Sequence, residues 1–292
     1  MSHPPLTPPT DAPEPSPVPE LLASAERAAA DGDWIAAGRA WVEAAMQASL
    51  DGANQASRTA APRLRPLADA GSADAAALLA GILLEYYEES ALPTAVRYAE
   101  AAATAGHPAG QRTYGFMLVN GLGVEKDEDR AAKLFRAAAE GGDAYGMFNL
   151  AATLDSDTDG DEELRLLAGA AGLGVTEAGC ALGDRLGAVD RDEEALAWYL
   201  WAAERGETNA MYAAACWYRD GFGTATDPVQ AVRWFFTMYG HGDGNGIHDA
   251  IELAGQGMTD EQIREAGRLA GEPGSAEALI DTVAGKRPQD QA

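Results

Sequence analysis

The sequence predicts an all-α fold, a right-handed α/α superhelical solenoid of antiparallel helix pairs. Three observations carry this expectation. The segments Tyr114–Asp143 and Ala214–Asp243 align without a gap at an offset of 100 residues. Seven identities fall in register: Gly121, Gly123, Asp127, Ala131, Phe135, Gly142 and Asp143 meet Gly221, Gly223, Asp227, Ala231, Phe235, Gly242 and Asp243. Five glycines, Gly106, Gly142, Gly174, Gly206 and Gly242, recur at spacings of 36, 32, 32 and 36, the period of a two-helix repeat. Between them, apolar residues stand at i, i+3, i+4 and i+7, which puts them on one buried helix face.

Composition agrees. The 292 residues are 47% hydrophobic, enough for a sizeable core in one or two domains or one array. Ala and Gly supply much of that bulk, which favours close-packed helices over sheets. The formal net charge is −25, from 21 basic and 46 acidic residues. Such a surface repels nucleic acid and anionic lipid and suits a basic or neutral partner. Cys180 and Cys216 are the only cysteines and lie in apolar helical patterns without metal-ligand spacing. They read as reduced, small, buried thiols, and a cytoplasmic chain follows as the expectation.

Taken in order, residues 1–19 form a Pro-rich tail, read as disordered or polyproline-like. It has no basic or apolar region of a signal peptide. Residues 20–71 form N-terminal capping helices: Gly32 and Asp33 make a turn, and Trp34, Ala37 and Trp41 mark the second helix. The segment from about Gln55 to Ala70 holds Pro62 and Pro66, so a break or late helix start is expected there. Residues 72–243 hold five repeats. Helix A carries small residues such as Gly115 and Gly183, which permit close helix approach. Helix B carries Ala131, Leu134, Phe135 and Ala138, which recur as Ala195, Trp198, Tyr199 and Ala202. The closing glycine suits a left-handed position just past helix B. Residues 244–271 give two C-terminal capping helices, with Thr259 or Asp260 as N-cap. Residues 272–292 read as a tail. The longest apolar run, Ala75–Leu84, is too short to span a membrane.

These residues resemble the Sel-one-like repeat family, a relative of the tetratricopeptide repeat. The best-matching unit has Tyr114-Gly115, then Gly121, Gly123, Val124 and Asp127, then Ala131, Leu134-Phe135, Ala138-Ala139 and Gly142. The fifth unit departs at Met238 and Tyr239, where the family has an Ala pair, and the third and fourth lack the Gly-x-Gly loop. The resemblance implies a protein-interaction scaffold or adaptor that binds a peptide or partner protein on the concave face, lined by A helices. A hydrolase of this family or a self-associating structural subunit is the alternative. Exposure of Trp234 and Phe236 would favour self-association.

Candidate wall residues on the A helices are Tyr86, Arg112, Phe116, Asn120, Asn149, Arg185, Tyr212 and Arg219. Aromatic, Arg and Asn side chains are the stuff of peptide grooves. If Arg112, Arg185 and Arg219 converge, an acidic segment or terminal carboxylate could bind there.

Catalytic and cofactor signatures are missing from the sequence, so no enzyme activity and no cofactor is expected. No Walker A or Gly-x-Ser-x-Gly is present, and Gly121-x-Gly123 lacks a third glycine. Glu88/Glu89 and Glu193/Glu194 read as solvated surface pairs. "DSDTDGDEE" (155–163) begins like a calcium loop, with Asp155, Asp157, Asp159 and Gly160 at positions 1, 3, 5 and 6. Position 12 is Leu166, at the repeat's core site, so the bidentate carboxylate is missing and no metal is expected. Of the histidines, His3 lies in the tail and His107 follows a closing glycine. His241 and His248 bracket a Gly-rich linker to the C-terminal cap.

Overall fold

The computed structural model describes residues 6–9, 17–47, 50–86 and 89–284. The expectations for His3, Glu88, most of the N-terminal tail and the last eight residues concern positions outside this set. The described residues form helices joined by short turns, in two compact units, residues 13–174 and residues 1–12 with 175–292.

The first unit begins with the pair α1 (Val18–Ala30) and α2 (Trp34–Met46). Gly32 has φ +79° in the turn between them, and the Asp33 side chain accepts from the Ala36 N–H to cap α2. Then come α3 (Leu50–Gln55) and α4 (Ala61–Asp69), joined through one π turn, Ala56–Ala60. The break expected at the prolines is therefore not an interruption. Proline lacks an N–H and crowds the carbonyl four residues back. The wider π turn just before Pro62 takes up that misfit while the backbone stays helical.

The repeats follow as α5 (Ala73–Tyr86) with α6 (Leu92–Thr104), α7 (Pro108–Asn120) with α8 (Glu128–Glu140), and α9 (Ala144–Ala151) with α10 (Ser156–Gly172). Each helix packs on its partner, and α6 on α7 and α8 on α9 join successive pairs.

In the second unit, α11 (Thr176–Gly187) pairs with α12 (Asp192–Ala203), and α13 (Thr208–Asp220) with α14 (Pro228–Gly240). The end is α15 (Ile247–Gly255), α16 (Asp260–Ala270) and α17 (Pro273–Ala284). Thr259 caps α16 in a reciprocal box with Gln262, which settles the N-cap. Helix α17 corrects the expected C-terminal tail. Its Ala276, Leu279, Ile280 and Val283 are buried, and it packs on α15 and α16.

The repeat chemistry works as its residues require. All five closing glycines have positive φ, from +79° to +96°. A side chain in that region costs roughly 1–2 kcal/mol. Gly115 and Gly183 lie against aromatic rings of helix B. A Cβ on Gly115 would meet Phe135 at 2.8 Å, and one on Gly183 would meet Tyr199 at 2.6 Å. Small on A and aromatic on B thus form one interlocked contact, with Phe135 and Tyr199 both buried. Asp127 caps α8 by accepting from the Arg130 N–H, and Asp227 caps α14 by accepting from Val229 and Gln230. Trp234 and Phe236 are 2% and 1% exposed, so the feature that would have favoured self-association is core instead.

Candidate functional site

On α7, Arg112, Phe116 and Asn120 stand four residues apart and share one face. Phe116 is 39% exposed, large for an aromatic ring. The Asn120 side-chain amide donates to the Phe116 carbonyl at 2.9 Å. Arg112 is not a loose cation. Its Nε lies 2.9 Å from Asp143 Oδ1, and its guanidinium stands 5.8 Å from the Tyr145 ring centroid. The same Asp143 oxygen accepts from the Gly146 N–H at 2.6 Å and caps α9. One carboxylate therefore ties helix A of one repeat to helix A of the next. Asn149 on α9 is half-buried. Tyr86, at the end of α5, packs against the core cluster, and burial, helped by the Glu85 charge, raises its pKa.

The second unit repeats the device. Arg219 on α13 donates from Nε and Nη2 to the two oxygens of Asp220, both at 2.8 Å. Its Nη1 donates to Asp249 Oδ1 at 3.1 Å, across to α15. The hydrogen bond to Asp220 is the main reason the Arg219 pKa is raised, and Arg219 holds Asp220 below the usual carboxylate range. Tyr212, two turns earlier on the same face, donates its hydroxyl to Asp249 Oδ2 at 3.4 Å. Its ring tilts on Phe235 at 5.8 Å and is 37% exposed. Arg185 on α11 is exposed.

Arg112 thus lies in the first unit, and Arg185 and Arg219 in the second. Arg112 and Arg219 already hold carboxylates, so both guanidinium groups are fixed in place by aspartates of a neighbouring element. The partners Asp143 and Asp249 were missed in the sequence, although each stands about one repeat beyond its Arg, at 31 and 30 residues.

The "DSDTDGDEE" stretch is not a loop. Residues 152–155 connect α9 to α10, and Ser156 onward is helical. A helix turns successive side chains by about 100°. A backbone that is helical from Ser156 onward does not form the wrapped loop that an EF-type site requires. Glu162 instead pairs with Arg136 of α8 at 2.6 Å, and this pairing lowers its pKa.

His107 caps α7, facing the Gly110 N–H with Nδ1 at 3.4 Å, and its Nε2 lies 3.4 Å from Asp74. His241 and His248 are exposed at either end of the linker. Among the described residues, no group of three or more His, Cys, Asp or Glu is placed to hold a metal ion. Cys180 and Cys216 are half-buried, and burial pushes the Cys180 thiol up to about 12. No described helix is long and apolar enough to cross a membrane.

The family model of the Sel1 repeat matches residues 108–143, 170–207 and 208–243. No curated protein matches the chain significantly. Among solved structures, the chain is similar to c5321, a protective antigen of uropathogenic Escherichia coli strains displaying an SLR fold. That match has 19% identity and a TM-score of 0.54, and covers 91% of this chain and 72% of the other. A Sel1 repeat protein from Oxalobacter formigenes matches at 17% identity and a TM-score of 0.54, covering 93% of this chain and 98% of the other. The glycine period, the small-on-aromatic packing and these matches agree: the chain carries three Sel1 repeats, at residues 108–143, 170–207 and 208–243, in a fold of consecutive helix pairs similar to that of the solved structures.

Proposed function

We propose that the chain is a protein-interaction scaffold that binds a peptide or partner protein on the surface of its A helices. The observation that carries this reading is the pairing of exposed aromatic rings with pre-oriented guanidinium groups. Phe116 stands beside Arg112, and Tyr212 beside Arg219. Arg side chains already held by carboxylates lose little entropy when a partner covers them, and the exposed rings beside them offer apolar area. Sel1 repeats are in general protein-interaction scaffolds, which supports the class and names no partner.

Two arginines already matched to aspartates favour contacts of ring and backbone over capture of an acidic group. The net charge of −25 favours a basic or neutral partner.

The test is affinity capture with the full chain against a Phe116→Ser/Tyr212→Ser variant. Both rings are more than a third exposed, so the variant should fold. Partners recovered by the wild type and lost by the variant support the A-helix surface. Equal recovery from both overturns it.

A further inference from the structure

Residues Leu6–Pro9 run without helix or strand, and Leu6, Pro8 and Pro9 are half-buried while Thr7 is exposed. Leu6 is held by both of its backbone polar groups. Its N–H donates to Glu194 Oε2 at 2.5 Å, and its carbonyl accepts from the Trp198 indole Nε1–H at 2.8 Å. Glu194 and Trp198 stand one turn apart on α12, so one helix face presents an acceptor and a donor side by side. An extended residue offers its own N–H and C=O on the same side, as in an antiparallel ladder. The two side chains therefore imitate the edge of a neighbouring strand.

This clamp is built in advance. Arg191 grips Glu194 from Nε and Nη2 at 2.8 and 2.7 Å and fixes the carboxylate. The Trp198 ring is 1% exposed and stands edge-on to Trp201 at 5.5 Å. The next repeat supplies a comparison. Trp234 occupies the place of Trp198 in α14 and is also buried, yet its indole N–H has no hydrogen-bond partner. Its turn-earlier neighbour is Gln230, whose side-chain oxygen accepts from Arg233. A carboxylate and an indole together are thus particular to α12, and there both are satisfied by one backbone residue. Burying such an N–H without a partner is unfavourable, so an acceptor that reaches it is favoured.

We propose that Glu194 and Trp198 form a binding site for the backbone of an extended, proline-containing peptide, and that the chain's own Leu6–Pro9 fills it. Prolines hold such a segment near its bound conformation, which lowers the entropy lost on docking. A tethered segment competes at an effective concentration in the millimolar range, so an outside peptide of the same chemistry must displace it. The site is distinct from the A-helix surface, and Phe116→Ser/Tyr212→Ser should leave it unchanged.

The experiment uses the full chain and a fluorescent synthetic peptide carrying residues 1–12. In the receptor variant Leu6→Gly/Pro8→Gly/Pro9→Gly, the tail loses its preset extension and the helices are untouched. Fluorescence anisotropy should show saturable binding to this variant and at least roughly tenfold weaker binding to the wild type. Adding Trp198→Phe keeps an aromatic, though smaller, side chain and removes the N–H, and should weaken binding by roughly tenfold. No binding to the triple variant, or binding indifferent to Trp198→Phe, overturns the site. Equal, tight binding to wild type and triple variant overturns self-occupancy. A second readout does not depend on Trp198→Phe folding. The indole N–H resonance of Trp198 should shift between wild type and triple variant, and an unmoved resonance overturns the contact.

Discussion

Gly81 and Gly183 are both helical, yet an added methyl group would meet different surroundings. Nothing lies within 4 Å of a Cβ at Gly81, whereas one at Gly183 would sit 2.6 Å from the Tyr199 ring. Gly81→Ala gains helix propensity alone and should stabilise by about 0.5–1 kcal/mol. Gly183→Ala makes the same gain but forces a buried ring to move, and should destabilise by about 1–3 kcal/mol. Urea unfolding of the two variants should shift the midpoint in opposite directions, and shifts of the same sign would contradict the interlock. This contact was legible in the sequence because both partners recur in register. The pairing of Arg112 with Asp143 was not, because half-buried polar side chains at repeat spacing carry no apolar pattern.

At the scale of elements, Asp143 is the informative case. It caps α9 and also holds Arg112 of α7. An N-cap aspartate replaced by alanine costs about 1 kcal/mol, and a partly exposed ion pair adds about 0–1 kcal/mol. Asp143→Ala should therefore lose more stability than Asp127→Ala, which removes a cap without an ion pair to a neighbouring A helix. Thermal unfolding of the two variants checks the order. Helix boundaries inside the repeats could be read from caps and glycines. Helix α17 was hidden because Pro273 and Gly274 open it and read as loop residues. Its Ala276, Leu279, Ile280 and Val283 do follow the i, i+3, i+4, i+7 spacing, so the signal was present but short. The π turn before Pro62 could not be read, since it reflects how backbone strain relaxes and not which residues are present.

For the whole molecule, the net charge of −25 has a measurable effect. Self-repulsion weakens the compact state, and salt screens it over a distance that falls from about 30 Å at 0.01 M to about 3 Å at 1 M. Melting temperature should rise as sodium chloride increases across that range. A flat or falling trend would mean that the ion pairs, such as Arg219 with Asp249, outweigh the repulsion. Charge and repeat period were both open to inspection in the sequence. The docked tail was not, because Leu6 meets Glu194 and Trp198 across 188 and 192 residues and through backbone atoms that nearly every residue possesses.

That last property has a consequence for mutation. A grip on backbone atoms reads the posture of the tail and ignores the identity of residue 6. Any extended residue there except proline, which lacks the N–H, keeps both bonds available. Position 6 is therefore free to drift over generations, whereas Glu194 and Trp198 are not, and the memory of the contact is stored on the helix.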